Sequence, residues 1–371
     1  MRTGSSRQTS QTSVPLRTSL YKGASPDETN QPLIDLHVRK VRWTDAFAIS
    51  SIRQRYLLNQ PNTHWRGSAP TQLSLRRLLP FPASSARCFV ACADRRLVGY
   101  AIFDVIGADQ RWVMEGIGAN LGIYAAEPVL DELLRAAVIS AGLEGTKRLY
   151  SRVPNGSEIL PAVRRSGFSP YASESVLASS LVPLTRVQPG VRRQMASDVW
   201  AIHQLYMATV PRQVQYAEAL TSHHWDLRAR TSGRERCSGW LVEDGYQTVA
   251  YLRAETSADG HVLECLVHPE HRDVFADLIA TACADLGTMA PRRVSIVVRG
   301  YQRELLPDLS GLGFTLQLEQ DVHVKYTTAP ARSPVSGALS LGLEVKEPVG
   351  KRVPTFLHGQ PSDPSSEGAG S

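Results

Sequence analysis

Long apolar runs are missing from this chain. No stretch approaches the roughly 20 consecutive apolar residues that a membrane span requires, so a membrane protein is not expected. Cysteine is scarce, with five residues in 371 (Cys88, Cys92, Cys237, Cys265, Cys283). An odd number, several of them inside apolar runs, gives no disulfide framework; it points to reduced core thiols and a cytoplasmic location. Acidic residues are absent before Asp27, where Ser, Thr and Arg crowd together. With neither an apolar secretory core nor an amphipathic stripe, residues 1–35 are expected as a disordered tail. Residues 329–371, rich in Pro, Gly and Ser, are expected as a second one. Concentrated positive charge is lacking too. The excess of 41 Lys and Arg over 35 Asp and Glu is mild and its arginines are dispersed, which argues against nucleic acid as a partner. No Ser/His/Asp arrangement stands out, and Cys237 lies in no nucleophile motif.

What remains suits two globular domains: 371 residues, 42% hydrophobic, with ample material for two cores. From Val38 the pattern predicts a helix opening at Asp45 with apolar spacing through Ile52, Tyr56 and Leu57, then a second helical piece over Leu73–Leu79. Three strands follow (Cys88–Ala93, Leu97–Ile106, Arg111–Ile117), then helix Val129–Ala141, strand Arg148–Val153, helix Ile159–Arg165 and a last strand near Glu174–Ala178. The second half repeats this order. Val38-Arg39-Lys40 with Asp45 matches Val191-Arg192-Arg193 with Asp198, and Val113-Met114-Glu115 matches Val262-Leu263-Glu264. Leu160-Pro161 and Gly167-Phe168 match Leu306-Pro307 and Gly313-Phe314. Matches that fall in order with a slowly drifting offset indicate a duplicated domain, spanning 36–182 and 187–328 with a linker at Leu181–Pro189. The class is α/β, two tandem copies of a mixed sheet with helices on both faces. The short linker, with Pro183 and Pro189, keeps the copies together as an intramolecular pseudo-dimer burying on the order of 1,000 Å².

The best-formed junction is Gly260 to Leu286, where an apolar strand ends at Pro269 and Val274, Phe275, Leu278, Ile279 and Ala282 recur at helical spacing. Val267-His268-Pro269-Glu270-His271-Arg272 resembles the strand-to-helix junction of the GNAT superfamily of acyl-CoA-dependent N-acetyltransferases. The Gly-Phe pairs and the element order resemble that superfamily as well, and the resemblance covers both halves. Its phosphate-wrapping loop, R/Q-x-x-G-x-G/A, is not reproduced: Asp273 and Phe275, or Phe275 and Asp277, stand where small residues are expected. In the first half Gly116, Gly118 and Gly122 lie beside the junction and read as conformational rather than phosphate-binding.

The resemblance implies acetyl-CoA as co-substrate and a small-molecule or peptide amine as acceptor. It implies that pantetheine pairs with the backbone of Cys265, Leu266 and Val267, that Arg272 and the helix N-terminus take the phosphates, and that a carboxylate on the fourth strand is the base. Glu264 occupies that strand and Glu115 is its first-half counterpart. Burial among Val262, Leu263, Cys265 and Leu266 would suit Glu264 to base work; alternation alone would put it on a solvated face or against an arginine. The family's tyrosine, four residues before the Gly-Phe glycine, is replaced by Val163 and Leu309, and Tyr150 and Tyr301 lie elsewhere on the pattern. His223-His224-Trp225 falls where the acceptor wall is expected. Cys265, His268 and His271 have C-x-x-H-x-x-H spacing, yet a strand end does not turn i and i+3 residues to one side and no fourth ligand is evident, so no metal is expected. Two functions follow: an N-acyltransferase whose second half is the active one, or a non-catalytic binding or scaffold protein on the same fold.

Overall fold

The computed structural model describes residues 36–61, 87–94, 96–106, 111–120, 126–230, 236–257, 260–288 and 293–327. The two expected tails and the helical piece Leu73–Leu79 lie outside the described residues. The first half forms β1 (Leu36–Lys40), α1 (Ala46–Ser50), β2 (Gln54–Leu57), β3 (Arg87–Ala93), β4 (Arg96–Ile106), β5 (Arg111–Ala119), α2 (Ala126–Leu143), β6 (Arg148–Pro154), α3 (Leu160–Arg165) and β7 (Ser169–Ser179). The second forms β8 (Val191–Arg193), α4 (Val199–Thr209), α5 (Arg212–Glu218), α6 (Leu227–Arg230), β9 (Arg236–Asp244), β10 (Gln247–Thr256), β11 (Gly260–Val267), α7 (Phe275–Gly287), β12 (Arg293–Arg299), α8 (Leu306–Gly311) and β13 (Thr315–Tyr326).

Each half builds its main core under one long amphipathic helix. α2 buries Val129, Leu130, Leu133, Leu134, Ala137 and Ala141, one stripe at helical spacing, against Phe103, Trp112 and Met114. α7 buries Phe275, Leu278, Ile279, Ala282, Cys283 and Leu286 against Leu252, Leu263 and Ile296. Smaller clusters form under α1, with Ile49 and Tyr100, and under α4, with Ile202, Tyr206 and Tyr251. Val163 and Leu309, where the resemblance leads one to expect a tyrosine, are fully buried in the two main cores.

Both halves share one sheet, in the order β1-β3-β4-β5-β6-β13-β7-β12-β11-β10-β9-β8. Each half therefore gives its last strand to the other: β13 stands beside β6, and β7 beside β12. The central β13–β7 pairing is antiparallel and self-complementary. Thr315 opposes Ala178 while Val324 opposes Ser169, and Gln320 opposes Glu174. Gln320 and Glu174 are related by the offset that relates Gly313-Phe314 to Gly167-Phe168, so the local two-fold passes between a residue and its own counterpart. There the Gln320 amide donates to Glu174 Oε2 at 2.8 Å, an arrangement two carboxylates could not make. Arg152 from the first half and Arg299 from the second close on the same buried carboxylate at 3.0 and 3.2 Å. Leu177 of β7 lies in the second half's core. The linker runs without regular structure along α7, where the Gln188 N–H donates to Thr281 Oγ1 at 2.9 Å.

One expected helix is shorter than its pattern implies. The pattern that begins at Asp45 stops at Ser50, and Gln54–Leu57 forms strand β2 on the far edge of β5, against Gly116–Ala119. β5 pairs with β6 only from Trp112 to Met114, so its later backbone groups need another partner, and β2 supplies it. Leu58 and Asn59 extend the bridge, donating to the Glu115 and Arg152 carbonyls at 2.8 and 3.4 Å.

Candidate active site

Where the sheet passes from one half to the other, a cleft of about 130 Å³ opens between them. Strand alternation turns Tyr251, Arg253 and Glu255 of β10, and Val262, Glu264 and Leu266 of β11, toward it. The first half contributes Asn59, Arg111, Tyr150 and Arg152 to the same lining. α5 reaches across so that Tyr150 Oη donates to the Ala217 carbonyl at 2.9 Å, and Glu218, at its end, closes one wall. Glu218 is buried and accepts from Arg299 Nη2 at 2.7 Å and Tyr206 Oη at 3.1 Å. Burial works against the Arg299 cation, but Glu218 and Glu174 outweigh it and hold the guanidinium charged. Burial also pushes the phenols up: Tyr150 to about 12, and Tyr171 and Tyr301 well above their ordinary range, so all three remain protonated donors.

Glu264 stands in this cleft directly across from Arg253, and the guanidinium Nη2 meets its Oε2 at 2.5 Å. Its side chain is 45% exposed, because the alternation that buries Leu263 and Cys265 points Glu264 the other way. The desolvated environment expected from its apolar neighbours is therefore not what Glu264 meets; the pairing with an arginine is. Arg253 is 2% exposed, stacks 5.8 Å over the Trp225 ring and donates Nη1 to the His224 carbonyl at 3.2 Å. The three-residue run His223-His224-Trp225 thus divides: His224 and Trp225 line the cleft, and His223 is exposed outside it.

β11 and β12 pair in parallel from Gly260 to Glu264 and then part, leaving the Cys265–Val267 edge without a strand beside it. The buried side chain of Gln302 fills this gap. With its amide oriented to satisfy both groups, its NH₂ donates to the Cys265 carbonyl at 3.2 Å and its oxygen accepts from the Val267 N–H at 2.9 Å. In the first half the equivalent gap holds β2. Glu115 sits there as the extra residue of a bulge in β5, is 1% exposed and does not line the cleft. Gly118 is what lets β2 approach: a Cβ there would lie 2.8 Å from the Gln54 carbonyl and 2.7 Å from the Tyr100 ring, whereas one on Gly116 would come no nearer than 3.4 Å to the Tyr56 carbonyl. Gly122 lies outside the described residues.

No family model and no curated protein matches the sequence. Among solved structures, a GCN5-related N-acetyltransferase from Sphaerobacter thermophilus is similar to this chain with a TM-score of 0.50 and 13% identity, over 79% of this chain and 96% of that one. The chain has the GNAT fold. A tandem GNAT protein from the clavulanic acid biosynthesis pathway is also similar, with TM-score 0.47, 14% identity, and 80% and 100% of the two chains covered. A putative acetyltransferase from Pyrococcus horikoshii gives 0.47 and 11% over 81% and 92%.

Within the GNAT fold the other expected site residues fall as follows. Cys265 and Leu266 line the cleft, and Val267 is buried at the end of β11. Arg272 and Asp273 are exposed on the 3-10 turn before α7, and Phe275 is fully buried in the core under it. His268 turns its Nδ1 to the Glu270 N–H at 3.4 Å, and Cys265, His268 and His271 do not converge: among the described residues no set of three metal-ligating side chains forms. Burial raises the Cys265 thiol to about 12. Sequence reasoning missed Arg253, Gln302, Arg111 and Glu218. A clue to the first was available, an arginine in mid-strand within Val249-Ala250-Tyr251-Leu252-Arg253 whose spacing from Tyr251 puts both on one face.

Proposed function

We propose that the protein is an acyl-CoA-dependent N-acyltransferase whose second half performs the transfer. One observation carries this reading: of two equivalent gaps beside the fourth strands, the first is closed by the chain's own β2, and the second by a single amide side chain. The Gln302 amide makes the two hydrogen bonds that an amide of pantetheine would make, so the Cys265–Val267 edge fits that arm of acetyl-CoA once Gln302 swings aside. Arg272, exposed at the following turn, is left for the phosphates. Acetyl-CoA supplies an acyl group activated as a thioester. Glu264, already fixed by Arg253, takes the proton of the attacking amine as the amide bond forms. Tyr301, a protonated phenol on the cleft wall, gives one to the departing sulfur. Cytoplasmic residence is part of the same proposal; among the described residues no helix is long and apolar enough to cross a membrane.

A non-catalytic ligand-binding role on the same fold is favoured by a different observation. Phe275 and Asp273 occupy the turn where bare backbone would approach a pyrophosphate, and Phe275 is fixed in the core. Calorimetry of the full chain with acetyl-CoA separates the two. The acyltransferase predicts binding below millimolar concentration, retained or strengthened in Gln302→Ala. A folded protein that binds none at millimolar acetyl-CoA, or binds only after Asp273→Gly, is the non-catalytic one.

A further inference from the structure

In the corner of the cleft beside Glu264, two guanidiniums converge on one imidazole, and Glu255 Oε1 stands 4.0 Å from Arg253 Nη2, beyond hydrogen-bond distance. Arg253 directs Nη1 to the His224 carbonyl and Nη2 to Glu264 and, at 3.4 Å, to His224 Nε2, while its buried Nε–H has no partner. Arg111, from the other half, reaches His224 Nδ1 at 3.3 Å and lies 5.9 Å from the Tyr150 ring; no carboxylate pairs with it among the described residues. The two guanidiniums thus face the two nitrogens of one imidazole. A neutral imidazole accepts at one nitrogen only, and a protonated one at neither, so at least one cationic donor there is unmatched in any tautomer. Leaving such a donor unmatched inside the cleft is costly. A carboxylate, with two acceptor oxygens and no proton, is the group that resolves the mismatch. On the same wall Glu264 is half-exposed and Glu255 is 30% exposed, so anionic groups stand next to the cationic ones.

We propose that the acceptor is a small amino acid-like molecule, its carboxylate held by Arg111 and Arg253 and its amine turned to Glu264. The chemistry of transfer rests on the acyltransferase reading above; the binding does not. Trp225 and Tyr251, packed edge to face at 5.9 Å, give the rest of such a molecule an aromatic wall.

Matched pairs that differ by one carboxylate test this directly. Calorimetry of the full chain, with no acetyl-CoA present, compares tyrosine with tyramine, phenylalanine with phenethylamine and lysine with cadaverine. In at least one pair the amino acid binds tenfold or more tightly than its amine, and Arg111→Met, at a partly exposed position, abolishes the difference while leaving the circular dichroism unchanged. Arg253→Lys, which keeps a charge but not the fork, weakens the same amino acid at least fivefold. The proposal is overturned if in every pair the amine binds as tightly as the amino acid, or if nothing binds at millimolar concentration. Because acetyl-CoA is absent, a chain that fails to bind acetyl-CoA yet discriminates these pairs refutes the acyltransferase and spares the carboxylate site. A chain that binds acetyl-CoA and discriminates none does the reverse.

Discussion

Arg192 and Asp198 meet through two hydrogen bonds of 2.7 and 3.0 Å, and the Met195 N–H adds a third to the same carboxylate at 2.6 Å. Arg39, Asp45 and the Arg42 N–H repeat this at 2.7, 2.8 and 2.6 Å, atom for atom. The pair clasps the first strand of each half to the start of the following helix, and it was visible in the sequence as Val-Arg-Lys/Arg with an aspartate six residues after the arginine. Its effect on stability has a definite sign. The Arg192 side chain holds the Asp198 carboxyl below its ordinary value, so the folded state binds that proton less readily than the unfolded chain. The contribution is complete above the ordinary aspartate pKa of about 4 and fades as pH falls through the lower folded value. With the arginine a third exposed, about 1–2 kcal/mol is at stake. Denaturant titrations at pH 7 and pH 3 should find Asp198→Asn destabilised by that amount at pH 7 and much closer to wild type at pH 3. An equal deficit at both values would mean the pair acts through shape alone.

β2 shows where sequence reasoning stopped. Ile52, Tyr56 and Leu57 satisfy a helical spacing, and nothing local distinguishes four residues of strand from one more helical turn. What decides is a tertiary fact, the parting of β5 from β6, which leaves backbone groups to be matched by whatever segment is near. Gln302 was illegible for the same reason: a glutamine in a turn signals nothing until the strand edge it caps is known. The strands, the two long helices and the duplication were legible because burial imposes their periods along the sequence itself, and the placement of Glu264, Cys265 and Leu266 on a strand was legible for the same reason. Arg111, Glu218 and Arg253 gather only when two distant segments meet. Gly118→Val tests the account of β2, since its branched side chain cannot share space with the Gln54 carbonyl. A loss of about 1–3 kcal/mol is expected, together with fast amide exchange at Gln54–Leu57. Unchanged protection of those amides would show that the glycine is not what admits the strand.

The exchange of last strands sets how the two halves depend on each other. Residues 187–328 expressed alone would lack β7, leaving β12 with one bare edge and β13 with no neighbour at all. Gln320, buried on the central axis, would lose Glu174, and the core under α7 would lose Leu177. That fragment should therefore be insoluble, or recover as a dimer in which two copies of β13 pair with each other; sedimentation would show which. A stable monomer would contradict the dependence. The same strand order also bears on synthesis at the ribosome. β6 emerges early, but its neighbour β13 begins about 160 residues later. At translation rates of about 5–20 residues per second, β6 waits roughly ten to thirty seconds with one edge open. The nascent first half is thus a natural client for chaperones that shield unpaired strands, and a stall in the second half's message strands a sticky intermediate.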